Sequence, residues 1–247
     1  MTGNTDAKPA AGPSFVLVPD AETMSQRAAA LIASEVRRRP DLLLCAAAGA
    51  SPARAYALLA RAAQGDPALF RQLRVIKVDE WGGLAMTDPA TCEMDLQNRL
   101  LRPLGVTADR YQRFDSQAPD PAAECARIAQ WLARHGPIDL CVLGIGLNGH
   151  IAMNEPTDGL PSGPHVAQLA PSSLQHPMLA ASGAKPAYGL TLGMRDILQS
   201  GKILLLAAGD RKRPVLERLR HPLLTPRFPA SFLWLHRDVT VLWAAAD

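Results

Sequence analysis

The sequence lacks the features of several classes of protein. None of its apolar stretches reaches the roughly 20 residues that span a bilayer, so we expect no membrane partner. The four cysteines have no paired spacing, which argues against a disulfide framework and against a metal site. Cys45 and Cys141 lie inside apolar runs, where cysteine usually acts as a small buried hydrophobe. The missing disulfide pattern favours a reducing, cytoplasmic location.

The chain also has little excess charge. Its 26 Lys and Arg against 23 Asp and Glu give a formal net charge of +3, and the basic residues are scattered. We therefore expect no nucleic-acid partner. The first 13 residues contain no hydrophobic signal core and predict a disordered lead-in, followed by one domain over residues 14–247.

Strand-like and helix-like segments alternate along the rest of the chain. Apolar runs predict strands at 14–20, 41–49, 73–81, 138–146, 202–209 and 239–243. Apolar residues at helical spacing predict helices at 21–39, 51–63, 88–104 and 121–135, and the segments 188–200 and 211–220 continue the alternation. This order predicts an α/β fold, in which a doubly wound, mostly parallel, Rossmann-like sheet carries helices on both faces.

Ligands of such sheets bind beyond the carboxyl ends of the strands. Four predicted strand ends carry polar segments: "GASP" (49–52), "DEW" (79–81), "LNGHIAMNE" (147–155) and "GDRKR" (209–213). In the first segment, the small residues and the free N–H groups of a helix start suit a phosphate. A tight turn with Ser51 as the N-cap of the helix explains the same residues equally well. Lys212 either supplies a counter-charge to such an anion or is an ordinary solvated lysine.

The other two segments carry groups that can transfer protons. A carboxylate at the mouth of a buried strand, such as Asp79, is costly to desolvate, and its pKa can rise toward the range of a general base. The alternative is an acid that caps a helix or bonds a loop, and Glu80 is the next candidate base. The glycines at 144, 146 and 149 permit a crossing turn that exposes His150, a residue type that titrates near neutrality. Glu155 is spaced to bond the second ring nitrogen, whereas a lone histidine is more often structural.

These segments together resemble the glucosamine-6-phosphate deaminase/isomerase and 6-phosphogluconolactonase superfamily, from about residue 14 to the end. "GASP" is similar to the family's phosphate loop, "VDEWGGL" (78–84) to its "DEY-GL" segment and "LGIGLNGHIAMNEP" (143–156) to its signature. "YGLTLGMRDIL" (188–198) falls at its late helix, and "FPASFLWLH" (228–236) resembles its C-terminal segment. The tail "HIAMNEP" resembles the deaminase form, because the lactonases typically read "DGHTASLFP" and offer no counterpart of Glu155.

The resemblance implies an isomerase/deaminase that converts galactosamine-6-phosphate or glucosamine-6-phosphate to a ketose 6-phosphate and ammonia. His150, oriented by Glu155, would open the pyranose, and Asp79 would carry a proton between C2 and C1. The phosphate would be held by Gly49, Ala50, Ser51 and Lys212. The partner implied is thus a small phosphosugar, without cofactor or metal, and a homo-oligomer is left open.

Two departures from the family pattern accompany the resemblance. Asn148 stands where the deaminases have an aspartate, and the "LNGH" variant resembles the branch associated with galactosamine-6-phosphate. No arginine of the family's phosphate site is evident after the signature, which leaves His165 or His176 as replacements.

The runner-up function is a 6-phosphogluconolactonase, in which His150 would activate water. A non-catalytic phosphosugar sensor would need an attached DNA-binding segment, for which the short N-terminal stretch leaves no room.

Overall fold

The computed structural model describes residues 12–246, with the side chains of Ala181 and Ser182 left out, so most of the predicted lead-in lies outside the described residues. The strands are β1 (Ser14–Val18), β2 (Leu43–Ala46), β3 (Arg74–Lys77), β4 (Asp79–Gly82), β5 (Tyr111–Gln112), β6 (Leu140–Leu143), β7 (His165–Ala167), β8 (Tyr188–Thr191), β9 (Lys202–Ala208) and β10 (Val239–Ala244). The helices are α1 (Ala21–Arg38), α2 (Ala50–Gly65), α3 (Cys92–Leu96), α4 (Pro121–His135), α5 (Pro177–Ser182), α6 (Met194–Leu198) and α7 (Arg213–Leu219).

Seven strands form one parallel sheet in the spatial order β1-β10-β9-β6-β2-β3-β5. Successive side chains of a strand point to opposite faces, so Leu43 and Cys45 of β2 join one apolar cluster, and Leu44 and Ala46 join the other. Helices α4, α6 and α7 cover the first face, while α1 and α2 cover the second. Burial on both faces explains why the central strands read as unbroken apolar runs, and the predicted doubly wound α/β sheet is confirmed.

The predicted strand 73–81 is wrong as a single strand. The chain leaves the parallel sheet after Val78, whose N–H bonds the carbonyl oxygen of Ala46 at 3.2 Å. Asp79 then begins β4, which belongs to a separate antiparallel sheet of order β4-β8-β7. The physical reason is that the carboxylates of Asp79 and Glu80 cannot continue into an apolar sheet interior without partners. As a result, Asp79 is fixed opposite Thr191 of β8.

Two other predicted segments are also divided. Residues 188–191 form β8, which pairs with β4 in the second sheet, and the short helix α6 follows within the segment 188–200. The predicted helix 88–104 begins only at Cys92, where the Thr91 side chain accepts the N–H of Met94 at 3.1 Å, and it continues as a π-helical turn, Gln97–Leu101. The helix predicted at 51–63 begins at Ala50.

The N-cap of α2 is Gly49 rather than the predicted Ser51. Gly49 has a φ of +99°, in the left-handed region that side chains disfavour, and this turn directs the chain from β2 into the helix. Ser51 therefore lies in the first helical turn, and no side chain caps its N–H groups. The amide groups at this end of the helix remain available to a ligand.

Neither membrane nor metal features are found in residues 12–246. No described helix is long and apolar enough to cross a membrane. Within the same residues, no group of three or more His, Cys, Asp or Glu side chains is arranged to hold a metal ion.

Candidate active site

Four adjacent strands of the parallel sheet, β9, β6, β2 and β3, end at one edge, and the polar segments predicted to be functional follow them. A cavity of about 540 Å³ opens at this edge, a volume suited to a sugar phosphate. Seven of the eight predicted site residues border it, namely Gly49, Ala50, Ser51, Asp79, His150, Glu155 and Lys212. The eighth, Asn148, does not border the cavity but contacts two residues that do.

Asp79 supplies a carboxyl group with an unusual pKa. Burial and then the nearby charge of Glu80 raise its pKa from 3.8 to about 7, although Cys92, His150 and Lys77 act in the opposite direction. Such a carboxyl is part ionised near neutral pH, as a general base that also returns its proton requires.

Glu80, the second candidate base, faces a different set of partners. It is fully buried, and its Oε2 accepts from Nζ of Lys77 at 2.5 Å and from the N–H of Glu93 at 2.8 Å. Its Oε1 accepts the N–H groups of Trp81 and Cys92 at 2.7 and 2.9 Å. These contacts occupy both oxygens of the carboxylate, and Glu80 does not border the cavity. Since two of the donors are N–H groups of Cys92 and Glu93, the carboxylate anchors the start of α3.

Glu155 is the centre of a hydrogen-bond network beside His150. Its Oε2 lies 3.4 Å from Nδ1 of His150 and accepts from Nδ2 of Asn148 at 2.9 Å. Its Oε1 accepts from the hydroxyl of Ser173 and from the N–H of Ala170, the latter at 3.4 Å. The structure thus brings Glu155 against a ring nitrogen of His150, and among the described residues no hydrogen-bond partner of the other ring nitrogen, Nε2, is found.

These partners keep Glu155 ionised. Burial raises its pKa, but the contacts with His150, Ser173 and Asn148 outweigh burial and bring the pKa from 4.5 to about 2. The carboxylate therefore remains a fixed negative charge against the imidazole across the physiological range. Its contact with Nδ1 at 3.4 Å orients the ring of His150.

The turn that carries His150 is held by close backbone contacts. A Cβ added to Gly146 would lie 2.4 Å from the His150 ring, so only glycine allows the imidazole to pack there. Gly149 has a φ of +88° and contacts the Phe228 ring, and its carbonyl oxygen accepts the N–H of Ala230 at 2.9 Å. The predicted glycine turn is therefore present, although Gly149 alone of the three signature glycines has a positive φ.

Asn154 connects this turn to the second sheet. It is fully buried, and its Nδ2 donates to the carbonyl oxygens of Ile151 and Leu192 at 3.0 and 2.9 Å. The N–H of Met153 also donates to Oγ1 of Thr191 at 3.2 Å. Since Thr191 pairs with Asp79, the same strand positions both the carboxyl group and the segment that carries the histidine.

The part of the cavity wall formed by the start of α2 and the segment after β9 carries positive charge and unpaired N–H groups. In the described part of the chain, the amides of Ala50 and Ser51 have no hydrogen-bond partner, whereas Gly49 N–H donates to Oδ2 of Asp95 at 3.0 Å. Lys212 is half-buried and donates to the Ile145 carbonyl oxygen, and burial followed by the charge of Arg211 lowers its pKa. This part of the cavity can receive an anion through the two amides and Lys212, and Arg211 borders the same cavity.

The two histidines considered as replacements for an arginine lie in different places. His165 is in β7, where its Nδ1 lies 3.0 Å from the Gly163 carbonyl oxygen, and it does not border the cavity. His176 borders the cavity close to Gly49. Sequence reasoning missed Ser173 altogether, because it lies 18 residues from Glu155 in a segment, "PSSLQHP", without apolar periodicity. Only the tertiary fold brings it to the carboxylate.

Comparison with known proteins gives the same family over almost all of the chain. The family model for glucosamine-6-phosphate isomerases/6-phosphogluconolactonase matches residues 19–243. The chain is 37% identical over 219 residues to the protein named "Putative deaminase AgaI" of Escherichia coli (strain K12), covering 89% of this chain and 87% of that protein. It is 36% identical over 225 residues to the glucosamine-6-phosphate deaminase of Bacillus pumilus (strain SAFR-032), covering 90% and 93%.

Solved structures show the same likeness. A monomeric glucosamine-6-phosphate deaminase of the NagB superfamily superimposes with a TM-score of 0.87 at 33% identity, over 94% of this chain and 97% of that one. The 6-phosphogluconolactonase of Thermotoga maritima, at 16% identity, shares the fold with a TM-score of 0.72, over 94% and 99% of the two chains. The chain thus belongs to the family of glucosamine-6-phosphate isomerases and 6-phosphogluconolactonases.

Proposed function

We propose that this protein is an aldose–ketose isomerase and deaminase that acts on a 2-amino sugar 6-phosphate. Galactosamine-6-phosphate or glucosamine-6-phosphate is converted to the ketose 6-phosphate and ammonia, in cytoplasmic amino-sugar catabolism. The deaminase names of its relatives and the chemistry of the cavity support the same reaction.

The reaction follows from the groups around the cavity. His150 takes the proton of the C1 hydroxyl and delivers a proton to the ring oxygen, and the pyranose opens to the aldehyde. Asp79 removes the proton from C2 as a proton from solvent adds to the aldehyde oxygen, which gives the enolamine, and Asp79 then returns its proton to C1. The product is an iminium ion at C2, which adds water and releases ammonium to leave the ketose. Asp79 ends the cycle in its initial protonation state.

One observation carries the proposal: two carboxyl groups that border the same cavity have very different pKa values. Asp79 has a pKa raised to about 7, while Glu155, which contacts His150, has a pKa lowered to about 2. Two carboxyl groups with such different pKa values suit two roles, a base that gains and loses a proton and a permanent anion.

A panel of 6-phosphosugars tests the proposal. The purified protein is incubated with galactosamine-, glucosamine-, galactose- and glucose-6-phosphate, and ammonia and ketose are measured together. We expect equal amounts of ammonia and ketose from an amino sugar. Hydrolysis of 6-phosphogluconolactone without any ammonia release would instead favour the lactonase function.

A further inference from the structure

His176 borders the cavity beside the start of α2. The Cε1 and Nε2 atoms of its ring lie 3.8 and 3.9 Å from the position of a Cβ built on Gly49, the N-cap of α2. Its ring also packs against Trp81 with 5.8 Å between centroids. The imidazole edge that carries Nε2 therefore faces the turn at which the two unpaired amides of α2 begin.

One backbone contact determines which ring nitrogen of His176 carries the proton. The N–H of Met178 donates to Nδ1 at 3.3 Å, so Nδ1 acts as the acceptor. The proton of the neutral imidazole then lies on Nε2, the nitrogen nearest Gly49. Among the described residues, no hydrogen-bond partner of Nε2 is found, and the N–H faces the cavity unused.

The surroundings keep this imidazole neutral. Burial, followed by electrostatic interactions with His150 and Lys212, lowers the pKa of His176, while Asp95 acts in the opposite direction. A protonated ring would also place an N–H at Nδ1 against the Met178 N–H. His176 is therefore available as a neutral hydrogen-bond donor.

We propose that His176 donates its Nε2–H to the phosphate group of the substrate, so that a neutral imidazole holds the anion together with Lys212 and the amides of Ala50 and Ser51. This inference rests on the phosphate site of the proposed function, not on the deamination step.

Binding of inorganic phosphate tests the inference without turnover. Calorimetric titration at pH 8, where the ion is mainly doubly charged, compares wild type with His176→Ala and His176→Gln. We expect affinity about tenfold or more lower in the Ala variant, the scale of a hydrogen bond to a charged group, and largely restored by Gln, whose amide N–H replaces Nε2–H. His165→Ala, which alters a histidine outside the cavity, should retain wild-type affinity.

Unchanged phosphate affinity in His176→Ala, or a loss that Gln does not restore, would overturn the inference. Should the variants not fold, nitrogen-15 spectra of histidine-labelled wild type decide: Nε2 of His176 should stay protonated and shift when phosphate is added. No shift at that nitrogen would contradict the assignment. Because inorganic phosphate is the probe, the outcome stands whether or not amino-sugar phosphates are deaminated.

Discussion

The side-chain amide of Asn148 donates to Oε2 of Glu155 at 2.9 Å, the same oxygen that lies 3.4 Å from Nδ1 of His150. The other end of the amide, Oδ1, accepts the N–H of His150 at 3.1 Å. Asn148 therefore bridges the histidine backbone and the carboxylate. An ionised aspartate could accept the second of these hydrogen bonds but could not donate the first.

Asn148→Asp should change how activity depends on pH. The substitution removes a donor to Glu155 and adds a second carboxylate beside it, so the pKa of Glu155 should rise from about 2. A second negative charge in this network also favours its protonated form, and we expect the basic limb of the kcat/KM profile to move to higher pH. The measurement is kcat/KM against pH with cyclic galactosamine- and glucosamine-6-phosphate.

Asn148→Ala is the matched control, because it removes the same donor without adding charge. It should lower activity without moving the basic limb upward. If Asn148→Asp leaves both the profile and the preference between the two epimers unchanged, Asn148 is a spacer, and the galacto resemblance loses its main support.

Glu155→Gln should separate ring opening from the later steps. The amide keeps the size of the side chain but removes the carboxylate that contacts His150, and we expect kcat/KM for the cyclic amino sugar to fall about 10²-fold or more. An analogue that cannot close a ring should be converted at close to the wild-type rate. An equal fall in kcat/KM for both substrates would show that Glu155 also acts in a step after ring opening.

Ser173→Ala tests the residue that no sequence pattern indicated. Its hydroxyl donates to Oε1 of Glu155 and lies 3.5 Å from Nδ1 of His150. Loss of one hydrogen bond to a buried charge costs about 1.5–3 kcal/mol, so kcat/KM for the cyclic substrate should fall at least tenfold. Ser173→Thr keeps the hydroxyl and should recover most of the activity; an Ala variant as active as wild type would exclude the hydroxyl from the network.

Lys212→Ala should weaken recognition of the phosphate. Removing this charge should lower kcat/KM about 10- to 100-fold, as expected for a charge-assisted hydrogen bond. Lys212→Arg, which retains the charge, should lose less. The assignment fails if wild type converts the unphosphorylated hexosamine as well as its 6-phosphate.

The strand ends were predictable because they follow local patterns. Unbroken apolar runs such as 41–49 locate buried parallel strands, and the carboxyl ends of such strands meet at one edge. Gly49, Asp79, His150 and Lys212 each follow a strand of this kind within a few residues, and all four border the cavity.

What the sequence could not predict depends on contacts between distant segments. The break after Val78 reflects pairing of Asp79 with Thr191, more than a hundred residues away. Ser51 reads as an N-cap by type, yet the positive φ of Gly49 makes the glycine the cap. Ser173 and His176 reach the cavity from a segment without periodicity, and only the packed fold shows which of His165 and His176 lies there.

The role of Asp79 as the base that moves a proton between C2 and C1 is the central claim, and exchange of the C2 proton measures it directly. The amino sugar 6-phosphate is incubated in deuterated water, and loss of the C2 proton is followed by NMR. With wild type, exchange should rise with pH through a midpoint near 7, because the ionised carboxylate is the active form. Asp79→Asn keeps the shape without the basicity, and exchange should fall about 10²- to 10⁴-fold. Exchange at the wild-type rate in the Asn variant would contradict the account.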